Sequence, residues 1–107
     1  MDAPQTVRAL SALAHEARLA VFRLLVEAGA DGLPAGVIAE MLVIAPSALT
    51  FHLKELTFAG LLVQRPEGRK IHYSANFGGM NELIGYLTQN CCSGGVCELE
   101  VRPVDCC

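Results

Sequence analysis

Tryptophan is absent and aromatic residues make up only 6% of the chain. Its core must therefore be aliphatic, a composition that suits packed helices better than a sandwich or barrel. No run of roughly 18 apolar residues occurs, so no spanning helix is expected. The N-terminal stretch MDAPQTVRALS also lacks the basic-then-apolar order of a secretory signal, which gives a cytoplasmic protein with reduced thiols as the expectation. An excess of positive charge is missing too: the formal net charge is −3, which excludes a histone-like polycation. Cysteine does not occur before Cys91, and then appears five times in the remainder (Cys91, Cys92, Cys97, Cys106, Cys107). An odd number clustered at one end is not a disulfide framework for a core, and clustering suggests ligands.

What is present fits one small domain. The 107 residues are 52% apolar, enough for a core, although a lone domain of this size leaves much surface unburied and gains from oligomerisation. The charge is unevenly spread. Residues 1–45 carry three Arg against five acids, 46–79 four Lys or Arg against two, and 80–107 one Arg against four. Only the middle of the chain is basic.

Apolar periodicity predicts a first helix over Thr6–Leu13, preceded by Pro4, and a second over His15–Ala28 ended by Gly29. Pro34 suits the first position of a short third helix carrying Val37, Ile38, Met41 and Leu42. After the turn Val43-Ile44-Ala45, Pro46 opens a fourth helix whose Leu49, Leu53 and Leu56 recur every three or four residues until about Ala59. Leu61–Arg65 and Arg69–Tyr73 read as a β-hairpin around Pro66-Glu67-Gly68. Met80, Leu83, Ile84 and Leu87 then mark a fifth helix that starts near Phe77 and fades into the cysteine tail. The order α-α-α-α-β-β-α is a winged helix-turn-helix: residues 1–90 form the domain, and 91–107 a cysteine-rich tail.

In such a fold the second helix of the tight pair can enter a major groove. With its leucines in the core, the fourth helix presents Ser47, Thr50, Phe51 and Lys54, with His52 on the flank: small hydroxyls and a cation suited to base edges and phosphates. The blander reading is that Ser47 caps the helix and Thr50 is merely solvated. The hairpin adds Arg65, Arg69, Lys70 and His72, either a wing gripping phosphate or an edge protected by charge.

The stretch Ser47-Ala48-Leu49-Thr50-Phe51-His52-Leu53-Lys54-Glu55-Leu56, then Ala59-Gly60-Leu61-Leu62 and Gly68-Arg69-Lys70-Ile71-His72-Tyr73, resembles the signature of the ArsR/SmtB family of bacterial metal- and metalloid-sensing repressors. Leu13 to Leu19 resembles that family's second-helix opening. The resemblance implies a homodimer whose first and last helices form the interface, bound to double-stranded operator DNA near its own promoter. It places the reading positions on Ser47, Thr50 and Phe51 and the wing on Arg65 to Lys70. The chain departs from many arsenic-sensing members in having no Cys in the third helix, and from zinc-sensing members in having only Glu82 as a candidate ligand between Met80 and Asn90.

Three thiols remain, Cys91, Cys92 and Cys97, with Gly94-Gly95 between them to let the chain fold back. Thiolates favour soft centres, and trivalent arsenic or antimony takes three sulfurs with no fourth ligand. A family subset with a similar Asn90-Cys91-Cys92 ending senses arsenite through such a triad, which gives arsenic(III) as the implied inducer and no organic cofactor. Other readings stay open. Cys106 or Cys107 could complete a tetrahedral zinc or cadmium-type site, a dithiol alone could take a methylated arsenical, and exposed pairs could oxidise in a redox sensor. Met80, Ile84, Leu87 and Cys91 are expected on one helical stripe at the dimer interface, so ligation there would shift the protomers and misalign their reading helices. An enzyme is not expected: no phosphate-cradling Gly-rich loop or Ser/His/Asp arrangement appears, and Cys91 lies at a helix C-terminus, the wrong pole for a reactive thiolate.

Overall fold

The computed structural model describes residues 1–91. The first helix, α1 (Ala3–Leu13), starts three residues earlier than its apolar stripe suggests. Asp2 and Gln5 form a reciprocal capping box, each side chain accepting from the other's backbone N–H at 2.8–2.9 Å, with Pro4 in the first turn. The second helix, α2 (Glu16–Ala28), is capped by the His15 ring, whose Nδ1 accepts from the Ala17 N–H.

A two-residue strand that sequence periodicity did not show, β1 (Leu33–Pro34), precedes α3 (Ala35–Leu42). Pro34 is therefore the residue that caps α3, not its first helical position. It lacks a backbone N–H and sits at a sheet edge, where a missing donor is tolerated. Gly32, with φ of +67°, makes this arrangement possible, because a Cβ there would overlap the Tyr73 carbonyl. The strands β2 (Leu62–Glu67) and β3 (Lys70–Ala75) form the hairpin, each starting one residue later and ending two residues later than expected, so that the turn is at Gly68-Arg69 and not at Pro66-Glu67-Gly68. Sheet order is β1-β3-β2, all antiparallel, pairing Leu33 with Tyr73 and Arg65 with His72.

Between α3 and α4 (Pro46–Phe58) the chain turns by 114°, within the range of helix-turn-helix pairs. Val43 makes that turn in the left-handed region at φ of +53°, a conformation that costs a β-branched residue energy. The buried side of α4 carries Leu49, Leu53 and Leu56, which meet Val21, Phe22 and Leu25 of α2, Ile38 of α3 and Leu61 in one core. The last helix, α5 (Phe77–Leu87), contributes Leu83 and packs beside α1. The architecture is the expected winged helix-turn-helix, mainly α, with a three-stranded sheet in place of a bare hairpin. Among the described residues no single helix is long and apolar enough to cross a membrane.

Candidate nucleic-acid interface

The outward side of α4 is set by its inward one. Because Leu49, Leu53 and Leu56 are at most 1% exposed, the 3.6-residue repeat leaves Ser47, Thr50, Phe51 and Lys54 on the surface, where all four are exposed. Phe51 is 54% exposed, an aromatic face held in solvent beside polar neighbours. Ser47 is not the cap: Ala45 holds that position and no side chain bonds there. The Thr50 hydroxyl donates to the Pro46 carbonyl at 2.9 Å, which leaves its oxygen lone pairs as acceptors on the outer face.

His52 does not share this surface. It is only 9% exposed, with its ring 4.8 Å from that of His15 and its Nδ1 accepting from Arg18 Nε at 3.2 Å. The leucine stripe is one residue wider than its spacing implies, so His52, next to Leu53, turns inward against α2. Burial above all, then the neighbouring His15 and the Arg18 charge, holds its pKa below the ordinary imidazole value. His52 is therefore a buried link between α2 and α4 and not a base-reading side chain.

The wing splits into two kinds of cation. Arg65 donates to the Asp31 carbonyl at 3.2 Å and to Glu67 at 2.9 Å, and the His72 ring lies 3.3 Å from the same carbonyl. The two contacts to Asp31 fasten the hairpin to the loop after α2. Arg69 and Lys70, at the turn, are exposed and make no ion pair among the described residues. Together with Val37 and Glu40 of α3 and Tyr73 they line an open cleft of about 510 Å³ between the wing and α3.

The tail stands differently. Among the described residues no group of three or more His, Cys, Asp or Glu could hold a metal. Of the proposed triad only Cys91 is described; Cys92 and Cys97 lie outside the described residues. The expected continuous stripe from Met80 to Cys91 does not form, because α5 stops at Leu87, Thr88 closes it, and Asn90 is left-handed at φ of +58°. Cys91 follows in a tight turn, its N–H on the Thr88 carbonyl at 3.0 Å.

Residues 13–65 match the family described as helix-turn-helix domain. The chain carries a helix-turn-helix domain. Solved structures extend the likeness to 74–86% of the chain. An ArsR-like transcriptional regulator from Rhodococcus sp. RHA1 is 26% identical, with 80% of this chain and 78% of that one covered and a TM-score of 0.73. HlyU from Vibrio cholerae N16961 is 28% identical over 86% of this chain and 99% of its own, at a TM-score of 0.66. A possible transcriptional regulator for arsenical resistance is 26% identical over 74% and 79%, at 0.63. No curated protein matches the sequence. The helix-turn-helix domain here thus has the fold of ArsR-like transcriptional regulators.

Proposed function

We propose that the protein is an ArsR-family transcriptional repressor that binds operator DNA as a homodimer and releases it when trivalent arsenic is ligated by Cys91, Cys92 and Cys97. The observation that carries the DNA-binding part is the pairing of an outward face on α4 (Ser47, Thr50, Phe51, Lys54) with a wing whose Arg69 and Lys70 are exposed and make no ion pair among the described residues. Side chains on such a helix read base edges, and wing cations hold phosphates. Within a net charge of −3, these cations form the only basic third of the chain.

Dimerisation is supported by apolar surface on two adjacent helices. Val7 and Leu10 of α1 and Tyr86 and Leu87 of α5 are all more than a third exposed, and burying such a surface in a two-fold interface would remove it from water. The dimer also sets the spacing of two reading helices to one DNA turn, roughly 34 Å.

The arsenic part rests on donor chemistry: five thiols in one short segment, with Cys91 just beyond the helix that carries the apolar surface. When bound, arsenic(III) would draw the three thiolates into one trigonal site. The end of α5 before Cys91 removes the constraint that neighbouring helical residues point apart, since a turn can bring Cys91 and Cys92 round together. A second reading, a thiol redox sensor of the same fold, is favoured by the same cysteines, and reversible oxidation would then replace ligation. Titrating the DNA-bound protein with arsenite, antimonite and peroxide separately tests the choice: release by arsenite with all thiols reduced supports the metalloid reading, and release by peroxide alone supports the redox one.

A further inference from the structure

Arg18 belongs to none of the elements so far given a DNA role. It lies in the first turn of α2, yet its side chain crosses to α4, where the guanidinium carbon sits 5.2 Å from the centroid of the Phe51 ring and Nε donates to His52 Nδ1 at 3.2 Å. Two consecutive residues of α4 are thus engaged by one planar group. One of them, Phe51, is exposed among the reading positions, and the other is buried against His15. A guanidinium stacks on an aromatic face while donating in its own plane, and a lysine ammonium can do only part of this.

Resting on the reading of α4 as the DNA-contacting helix, we propose that Arg18 is a positioning residue of the interface. Its contacts with Phe51 and His52 fix the orientation of the Phe51 ring and the rotation of α4 about its own axis. The specificity of the domain then depends on a residue that reads no base. The bond also sets the His52 tautomer: with Nδ1 accepting, the ring proton sits on Nε2.

The test compares Arg18→Lys and Arg18→Gln with the parent protein, using a duplex selected by the parent from a random library and a random-sequence duplex as probes. Nitrogen-15 NMR of the histidine rings, without DNA, provides the second readout. Both variants are expected to lower the preference for the selected duplex about tenfold, the scale of one cation–π contact plus one hydrogen bond. Arg18→Lys is expected to leave random-duplex affinity and its salt dependence unchanged, and both variants to move the His52 Nδ1 resonance away from that of a hydrogen-bonded acceptor. Full preference restored by lysine would show that charge alone matters and overturn the proposal. So would an equal loss on both duplexes with a salt slope reduced by about one, the mark of a direct phosphate contact. Should glutamine unfold the domain, the lysine variant decides. A parent protein that prefers no duplex fails the regulator reading itself; the ring resonances report on Arg18 and His52 in the absence of DNA, so the two failures are distinguishable.

Discussion

The side-chain amide of Asn76 donates to the carbonyl of Gly60 at 2.9 Å, bonding the cap of α5 to the residue just beyond α4. The same amide accepts from the Gly79 N–H at 3.1 Å, and a Cβ on Gly79 would sit 2.5 Å from the Gly60 oxygen. The Gly78-Gly79 pair, which reads in sequence as a break before a helix, is in the first turn of α5, and at Gly79 the two chain segments meet backbone to backbone. Asn76→Ala is expected to destabilise the fold by about 1–2 kcal/mol through the lost cap. Gly79→Ala should cost more, because its clash is with main chain that cannot step aside. Thermal unfolding of both variants checks the order.

For the reading face, Ser47→Ala with Thr50→Ala should leave unfolding nearly unchanged, since Ser47 caps nothing and Thr50 bonds only the Pro46 carbonyl on its own helix. Specific DNA affinity should fall by about 1–3 kcal/mol for each contact removed. Equal affinity of the double variant and the parent for a selected duplex would take α4 out of the reading role.

On the wing, Arg69→Ala and Lys70→Ala should weaken binding to every sequence and each reduce the salt slope by about one. Arg65→Ala should change the slope less, because that guanidinium is already engaged by Asp31 and Glu67. A changed sequence preference in either turn variant would mean that the wing reads bases.

Acid should weaken the fold through His52. Its folded-state pKa is lowered, so between that value and the unfolded value of about 6.5 the unfolded chain binds the extra proton. The stability this group contributes is complete above about pH 6.5 and declines as pH falls through that window. Denaturant unfolding of the parent and of His52→Gln across this range should show a drop in the parent that the variant lacks; parallel curves would contradict it.

Much of this was legible in the sequence, and the gaps have physical causes. The leucine repeat of α4 sets its face as a local pattern with one period, and the hairpin was legible too, although its turn falls at Gly68-Arg69 and Pro66 and Glu67, expected in the turn, are paired in β2. The strand β1 was not legible because two residues carry no period, and Pro34 reads equally as a helix start. The start of α1 at Ala3 had a signal, Asp2 three residues before Gln5, that the apolar stripe alone does not use. Burial of His52 depends on the approach of α2, and the fastening of Arg65 on the loop at Asp31; both are contacts between segments far apart in sequence. The end of α5 at Leu87 and the left-handed Asn90 that follows were not legible, because Asn tolerates this conformation without requiring it.

The central claim is most directly tested by arsenite titration of the protein bound to a fluorescent operator duplex, followed by anisotropy in a thiol-free reductant. Complete release near one arsenite per protomer is expected, with release lost in Cys91→Ser, Cys92→Ser and Cys97→Ser and retained in Cys106→Ser and Cys107→Ser. Unchanged anisotropy at excess arsenite, or release that survives loss of any of the first three thiols, would contradict it.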